Sequence, residues 1–185
     1  MFSMSDFFIR LHAYVINPFL NFLPFFWVDI FYDNQTYIGN TLHKPIYLIM
    51  WAISSSIGFY IYSKKIWNHY NIHFYPFMHI LSCLGMCISC VIPYSNLLPG
   101  WVNDLHIWLA IASVTCFIFE WLWYSIPQWK GGIDYQKNFK IFLYINLICL
   151  CITFAPGHIT SICEITFSFF INFFLAKWTL KLKKR

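Results

Sequence analysis

The sequence predicts an all-α, polytopic integral membrane protein with six transmembrane helices and both termini cytoplasmic. Three observations predict it. The first is composition. Of 185 residues, 59% are hydrophobic and 10% are charged, where a soluble domain carries about 25% charged residues. The 23% of aromatic residues overfills a soluble core of this length and suits a lipid-facing surface with aromatic belts. The second is segment length: six apolar stretches approach the roughly 20 residues needed to cross hydrocarbon. The third is charge placement. Of the 12 Lys and Arg, all but Lys44 fall on one side of such an arrangement: Arg10, Lys64, Lys65, Lys130, Lys137, Lys140, Lys177, Lys181, Lys183, Lys184 and Arg185. Basic residues gather on cytoplasmic loops, so this asymmetry gives both span count and orientation.

The first span is expected over residues 9–31. Pro18 and Pro24 each lack a backbone donor, and Asn17 and Asn21 are polar, so this helix is expected to be kinked; a re-entrant or interfacial element is the alternative. Its broken apolar stretch and the lack of a small-residue cleavage site argue against a signal peptide. A polar loop, Asp33 to Asn40, follows.

The second span covers 45–62. Pro45 suits a first helical turn, Lys64 and Lys65 close the segment, and Ser54, Ser55, Ser56 and Gly58 offer a face that a neighbouring helix can approach. The third, 73–92, stops at Pro93. The fourth, 103–126, has Asn103 or Asp104 as N-cap and Trp121 and Trp123 as its interfacial belt. The fifth covers 139–154 and the sixth 158–180. No polar segment is long enough for a soluble domain, so residues 1–185 form a single transmembrane domain.

Several function classes drop out. The net charge of +5 arises from loops on one face and is not a nucleic-acid signature. The seven cysteines lie inside apolar runs, without zinc-site spacing; Cys83, Cys87 and Cys90 share one helix face and read as small packing residues. Hydrolase, metalloprotease and phosphate-loop motifs are not visible. Asn34-Gln35-Thr36 fits the glycosylation sequon on the outer side. The basic C-terminus reads as a stop-transfer anchor against the cytoplasmic leaflet.

Ionisable groups inside a bilayer are costly and need a reason. With the helices oriented, His79 on the third span and Glu120 on the fourth both lie about 9 Å from the cytoplasmic end at 1.5 Å per residue. They are expected to pair, as a structural clamp or as a proton-coupled site. Toward the outer side, Asp29, Asp104, His106, His158 and Glu164 form a candidate ligand pocket for a lipid head group or solute; helix capping and interfacial solvation are the plainer account. His106 with His158, or His12 with His79, are matched in depth and would allow a b-type haem. No metal site and no catalytic residue is assigned, and no other cofactor is expected.

The helix layout then carries a resemblance. The third span ends Ile92-Pro93, the fourth opens with His106 followed by Ala110, and the sixth opens with Gly157 and has Ser161-x-x-Glu164. In this the chain resembles the six-helix superfamily of the damage-regulated autophagy modulators and their prokaryotic relatives of unknown function. That resemblance implies a membrane protein without established catalysis, linked to lipid organisation or to recruiting partners, with His106 and Glu164 the positions to watch. The polar, proline-broken first helix and the short outer loops depart from it.

The expected function is therefore a non-catalytic role in lipid binding or membrane organisation. The alternatives are a small-solute or proton-coupled transporter using Glu120, His79 and Glu164, and an intramembrane enzyme or haem carrier. Expected partners are membrane lipids and a protein partner or second copy, and the expected location is a bacterial inner membrane or a eukaryotic endomembrane or plasma membrane.

Overall fold

A computed structural model describes residues 4–127 and 132–182; Lys130, Lys183, Lys184 and Arg185 lie outside the described residues. The described residues form helices and connecting turns. The N-terminal run is helical over its whole length but changes pitch three times. Helix α1 (Met4–Leu11) passes into a π-helical turn (His12–Ile16), then α2 (Asn17–Phe22), then a 3-10 turn (Leu23–Phe26). Proline chemistry accounts for the π-helical and the 3-10 turns. Pro18 cannot donate to the carbonyl of Tyr14, and its ring crowds that carbonyl. The chain widens by one residue just before it, with the Asn17 N–H bonding to the His12 carbonyl. Pro24 opens the tighter final turn.

The run ends at Phe26, so Asp29 stands in a turn and not at the end of a helix as the sequence suggested. Its carboxylate accepts the Phe31 N–H, and its carbonyl accepts from Tyr32 and Asp33. The polar loop also contains an element the sequence did not announce, the short helix α3 (Gln35–Asn40). Asn34 caps it, accepting the Tyr37 N–H.

Five longer helices follow: α4 (Pro45–His69), α5 (Pro76–Val91), α6 (Gly100–Ser125), α7 (Ile133–Phe154) and α8 (Ser161–Leu182). Pro45 and Pro76 occupy first turns, where a missing N–H costs little. Lys64 and Lys65 do not close α4. They lie inside its last turns, and Lys64 sits over the Tyr60 ring, 5.4 Å from its centroid. Helix α6 starts at Gly100 after Pro99, so neither Asn103 nor Asp104 is its N-cap. Asn103 instead closes the preceding loop, accepting the Ser95 N–H and donating to the Ser95 carbonyl.

Helices α4, α6, α7 and α8 are long and apolar enough to cross a membrane; α5 is apolar but shorter. They mark a membrane-embedded helical protein. Helix α4 is central: it packs on α5 and α8, and the N-terminal run lies against both α4 and α8. Helix α6 packs on α5, and α7 on α8, while α6 and α7 scarcely meet through their backbones. Aromatic side chains bridge that gap. Phe142 of α7 lies 4.8 Å from Trp121 and 6.5 Å from Phe117, both of α6, and Phe117 in turn stacks on Phe59 of α4 with centroids 4.8 Å apart. Trp121 is thus core and fully buried, contrary to its expected place in an interfacial belt, whereas Trp123 is exposed.

The small-residue face of α4 works as a contact. A side-chain carbon on Gly58 would collide with Asn172 of α8 and with the His12 ring. Ser55 shares a hydrogen bond with Ser168 at 2.6 Å. Such close approach is how helices associate where lipid offers no hydrophobic drive.

Candidate functional site

Two groups of polar side chains stand out, one at each end of the bundle. At the end carrying Lys64 and Lys65, His79 of α5 and Glu120 of α6 meet: the His79 Nδ1–H donates to Glu120 Oε2 at 2.9 Å. The histidine is 0% exposed and the glutamate 5%. Ser82, one turn on from His79, directs its hydroxyl to the His79 carbonyl at 3.0 Å and to Glu120 Oε2 at 3.3 Å. The other His79 nitrogen is 3.4 Å from the Tyr60 carbonyl. Around the imidazole, Tyr60 and Phe117 stack at 5.3 and 6.2 Å, and Trp67 and Phe74 meet it edge-on at 4.8 and 6.3 Å. Glu120 Oε1 is buried without a partner among the described residues. The arrangement joins α5 to α6 inside an aromatic enclosure.

At the opposite end, α3 is wedged between helices. Its first backbone N–H, at Gln35, donates to Glu164 of α8 at 2.7 Å. The next residue, Thr36, donates its hydroxyl to His106 Nε2 at 3.1 Å; the other His106 nitrogen donates to the Ile92 carbonyl at 3.0 Å. The Gln35 side chain is fully buried and accepts from the Tyr47 hydroxyl at 2.9 Å, while its Nε2 has no partner among the described residues. His158 ties two loops together, with the Pro156 and Tyr32 carbonyls each 3.1 Å from its ring nitrogens. Two further backbone bonds fasten the same loops: Ser161 N–H to the Asp33 carbonyl and Ile162 N–H to the Ile30 carbonyl.

Beside α3 lies a cleft of about 170 Å³, lined by Tyr32, Asp33, Asn34, Thr36, Tyr37, Asn40, Thr41 and Tyr94. None of these eight was named by the sequence as a pocket residue. Three that were named stand behind the lining: His106 supports Thr36 and lies 5.5 Å from the Tyr94 ring, His158 meets the Tyr32 ring edge-on at 5.7 Å, and Glu164 holds the start of α3. Asp29 serves its own turn, and Asp104 is exposed on α6; neither lines the cleft. The one signal in the sequence was the density of Tyr, Asn, Asp and Thr between 32 and 41, a stretch that reads as loop. The sequon falls here too: Asn34 is the cap of α3, and Gln35 beside it is fully buried.

A third polar group was missed except as a haem ligand. His12, at the start of the π-helical turn, accepts from the Tyr62 hydroxyl at 2.7 Å and donates to the Ser54 carbonyl at 3.0 Å. For His12, His79, His106 and His158 alike, every ring nitrogen lies within 3.4 Å of a protein oxygen. Residues so engaged do not fit a haem iron. No family model, curated protein or solved structure matches the chain.

Proposed function

We propose that the chain is a six-span integral membrane protein, both termini cytoplasmic, with a non-catalytic role: it holds the head group of a membrane lipid in the cleft beside α3. Six spans follow if α5 and the N-terminal run, residues 4–26, cross beside the four longer helices. The lopsided lysines then put the cleft on the outer side. The observation that carries the reading is the cleft itself. It is a polar, tyrosine-lined recess at the level of the helix ends, backed by His106 of α6, whose first turns expose Trp101, Leu105 and Trp108. Lipid head groups lie at that level. The resemblance to the autophagy-modulator superfamily points the same way.

Native mass spectrometry of the protein purified in a maltoside detergent tests this. One retained lipid per chain is expected, lost when Asn40 and Thr41 are both replaced by Leu. A chain that retains no lipid under any gentle extraction sinks the reading.

The partnerless Glu120 Oε1 favours one second reading, proton-coupled transport of a small solute. Transport predicts that Glu120→Gln stays folded and stops uptake. A structural clamp predicts that the same variant loses folded protein.

A further inference from the structure

The cleft beside α3 has a chemistry that narrows its ligand. Three of its eight lining residues are tyrosines: Tyr32, Tyr37 and Tyr94. Its one charged lining residue is an acid, Asp33, and Lys or Arg is not among the lining residues. The lysine at this end, Lys44, is drawn away over the Trp27 ring, 4.7 Å from its centroid. Asp29 and Asp104, both exposed at the same end, add negative charge.

Several polar groups of the cleft are already engaged. Thr36 gives its hydroxyl hydrogen to His106. Asn40 gives an amide hydrogen to the Thr36 carbonyl at 3.1 Å. Asn34 uses its side-chain oxygen as an acceptor in capping α3. What remains is π-faces, the tyrosine hydroxyls, and a carboxylate whose Oδ2 accepts the Asp29 N–H at 3.1 Å. An anion finds no cation here. A group with positive charge and no N–H to satisfy fits, because aromatic faces attract it without hydrogen bonds. The volume suits a head group and falls short of the roughly 300 Å³ at which drug-sized pockets begin.

We propose that the cleft is a quaternary-ammonium site, in which Tyr32, Tyr37 and Tyr94 surround a trimethylammonium group and Asp33 balances its charge. This rests on the reading that the cleft receives a head group, and names that group's chemistry. The tyrosine hydroxyls then supply donors for the phosphodiester that carries such a group in a choline lipid. His106 and His158 act as positioning residues, bracing the Tyr94 and Tyr32 rings. The same chemistry would hold a free choline-type solute.

The experiment uses the full chain in a maltoside detergent, which contains no ammonium group. In the first arm the protein is offered equal phosphatidylcholine, phosphatidylethanolamine and phosphatidylglycerol, and retained lipid is read by native mass spectrometry. In the second, tetramethylammonium is titrated and followed by ligand-observed NMR. Phosphatidylcholine is expected to be retained about tenfold over the other two, a difference of about 1.4 kcal/mol. Asp33→Asn and the double variant Tyr37→Leu, Tyr94→Leu should each remove most of that preference. Tyr37→Phe with Tyr94→Phe should keep it, because the rings persist; their retention also guards against mere misfolding of the leucine variant.

Tetramethylammonium binding without phosphatidylcholine retention supports the ammonium site and assigns it to a solute, overturning the lipid source. A lipid retained with equal preference for all three head groups, lost in the cleft variants, overturns the ammonium chemistry and leaves the head-group reading standing. No retained lipid and no tetramethylammonium binding overturns both.

Discussion

Glu164 on α8 accepts the backbone N–H of Gln35 at 2.7 Å, joining positions 129 residues apart. That bond pins the first turn of a six-residue helix that has few other reasons to form. A helix this short is unstable alone, and α3 owes its place to Glu164, to the Asn34 cap and to the seat of Gln35 under Tyr47.

Replacing Glu164 with Ala should therefore loosen α3 more than it unfolds the bundle. The loss of the acceptor for a buried N–H costs about 1–3 kcal/mol. Hydrogen exchange should show early opening of residues 35–40 while α4 stays protected. Glu164→Gln keeps an acceptor oxygen and should restore most of the protection.

The His79–Glu120 pair makes a different prediction. Removing one partner strands the other in an apolar enclosure, at a cost of about 3–5 kcal/mol, whereas replacing both with apolar residues of similar size is often neutral. His79→Leu and Glu120→Leu should each lower the thermal unfolding midpoint sharply in detergent. The double variant should recover much of the loss. Additive losses in the double variant would show that the two residues do not act as a unit.

Gly58 gives a third. Any side chain there meets Asn172 and His12, and overpacking of this kind costs about 1–3 kcal/mol. Gly58→Val should reduce stability and separate the N-terminal run from α4 and α8, read as faster proteolysis near residues 4–26. Gly100, whose neighbourhood is open, should accept Ala with little change.

Tyr62→Phe tests the π-helical turn. It removes one bond to His12, and polar contacts between membrane helices contribute about 0.6–2 kcal/mol. A loss in that range is expected, with the larger loss for His12→Phe, which removes both His12 contacts. Unchanged stability in both variants would mean that the widened turn is set by Pro18 alone.

Much of the helix inventory was legible because apolar length and proline placement act locally: Pro45 and Pro93 bracket helices as expected. The His79–Glu120 juxtaposition was legible for a related reason. Two spans joined by a short loop run antiparallel, and depth along each can be counted from the loop side. Exposed ends read less well. Lys64 and Lys65 read as a stop in the sequence, yet their long side chains let charge reach outward while α4 continues to His69. The cleft was legible only as a polar loop, since its lining comes from a turn, a six-residue helix and Tyr94 after α5. These are brought together by backbone bonds such as Ser161 to Asp33, which leave no periodic trace. Asp29 and Asp104 looked like members of the pocket only because they were acidic and near it in depth.

The weak backbone contact between α6 and α7 divides the chain into two pieces for assembly. Helices α7 and α8 form a hairpin that meets the rest through α4, the N-terminal run and a layer of aromatic rings. The two pieces adjoin in sequence between residues 127 and 132. A gene split there should yield two fragments, 1–127 and 132–185, that find each other in the bilayer and run as one species on gentle purification.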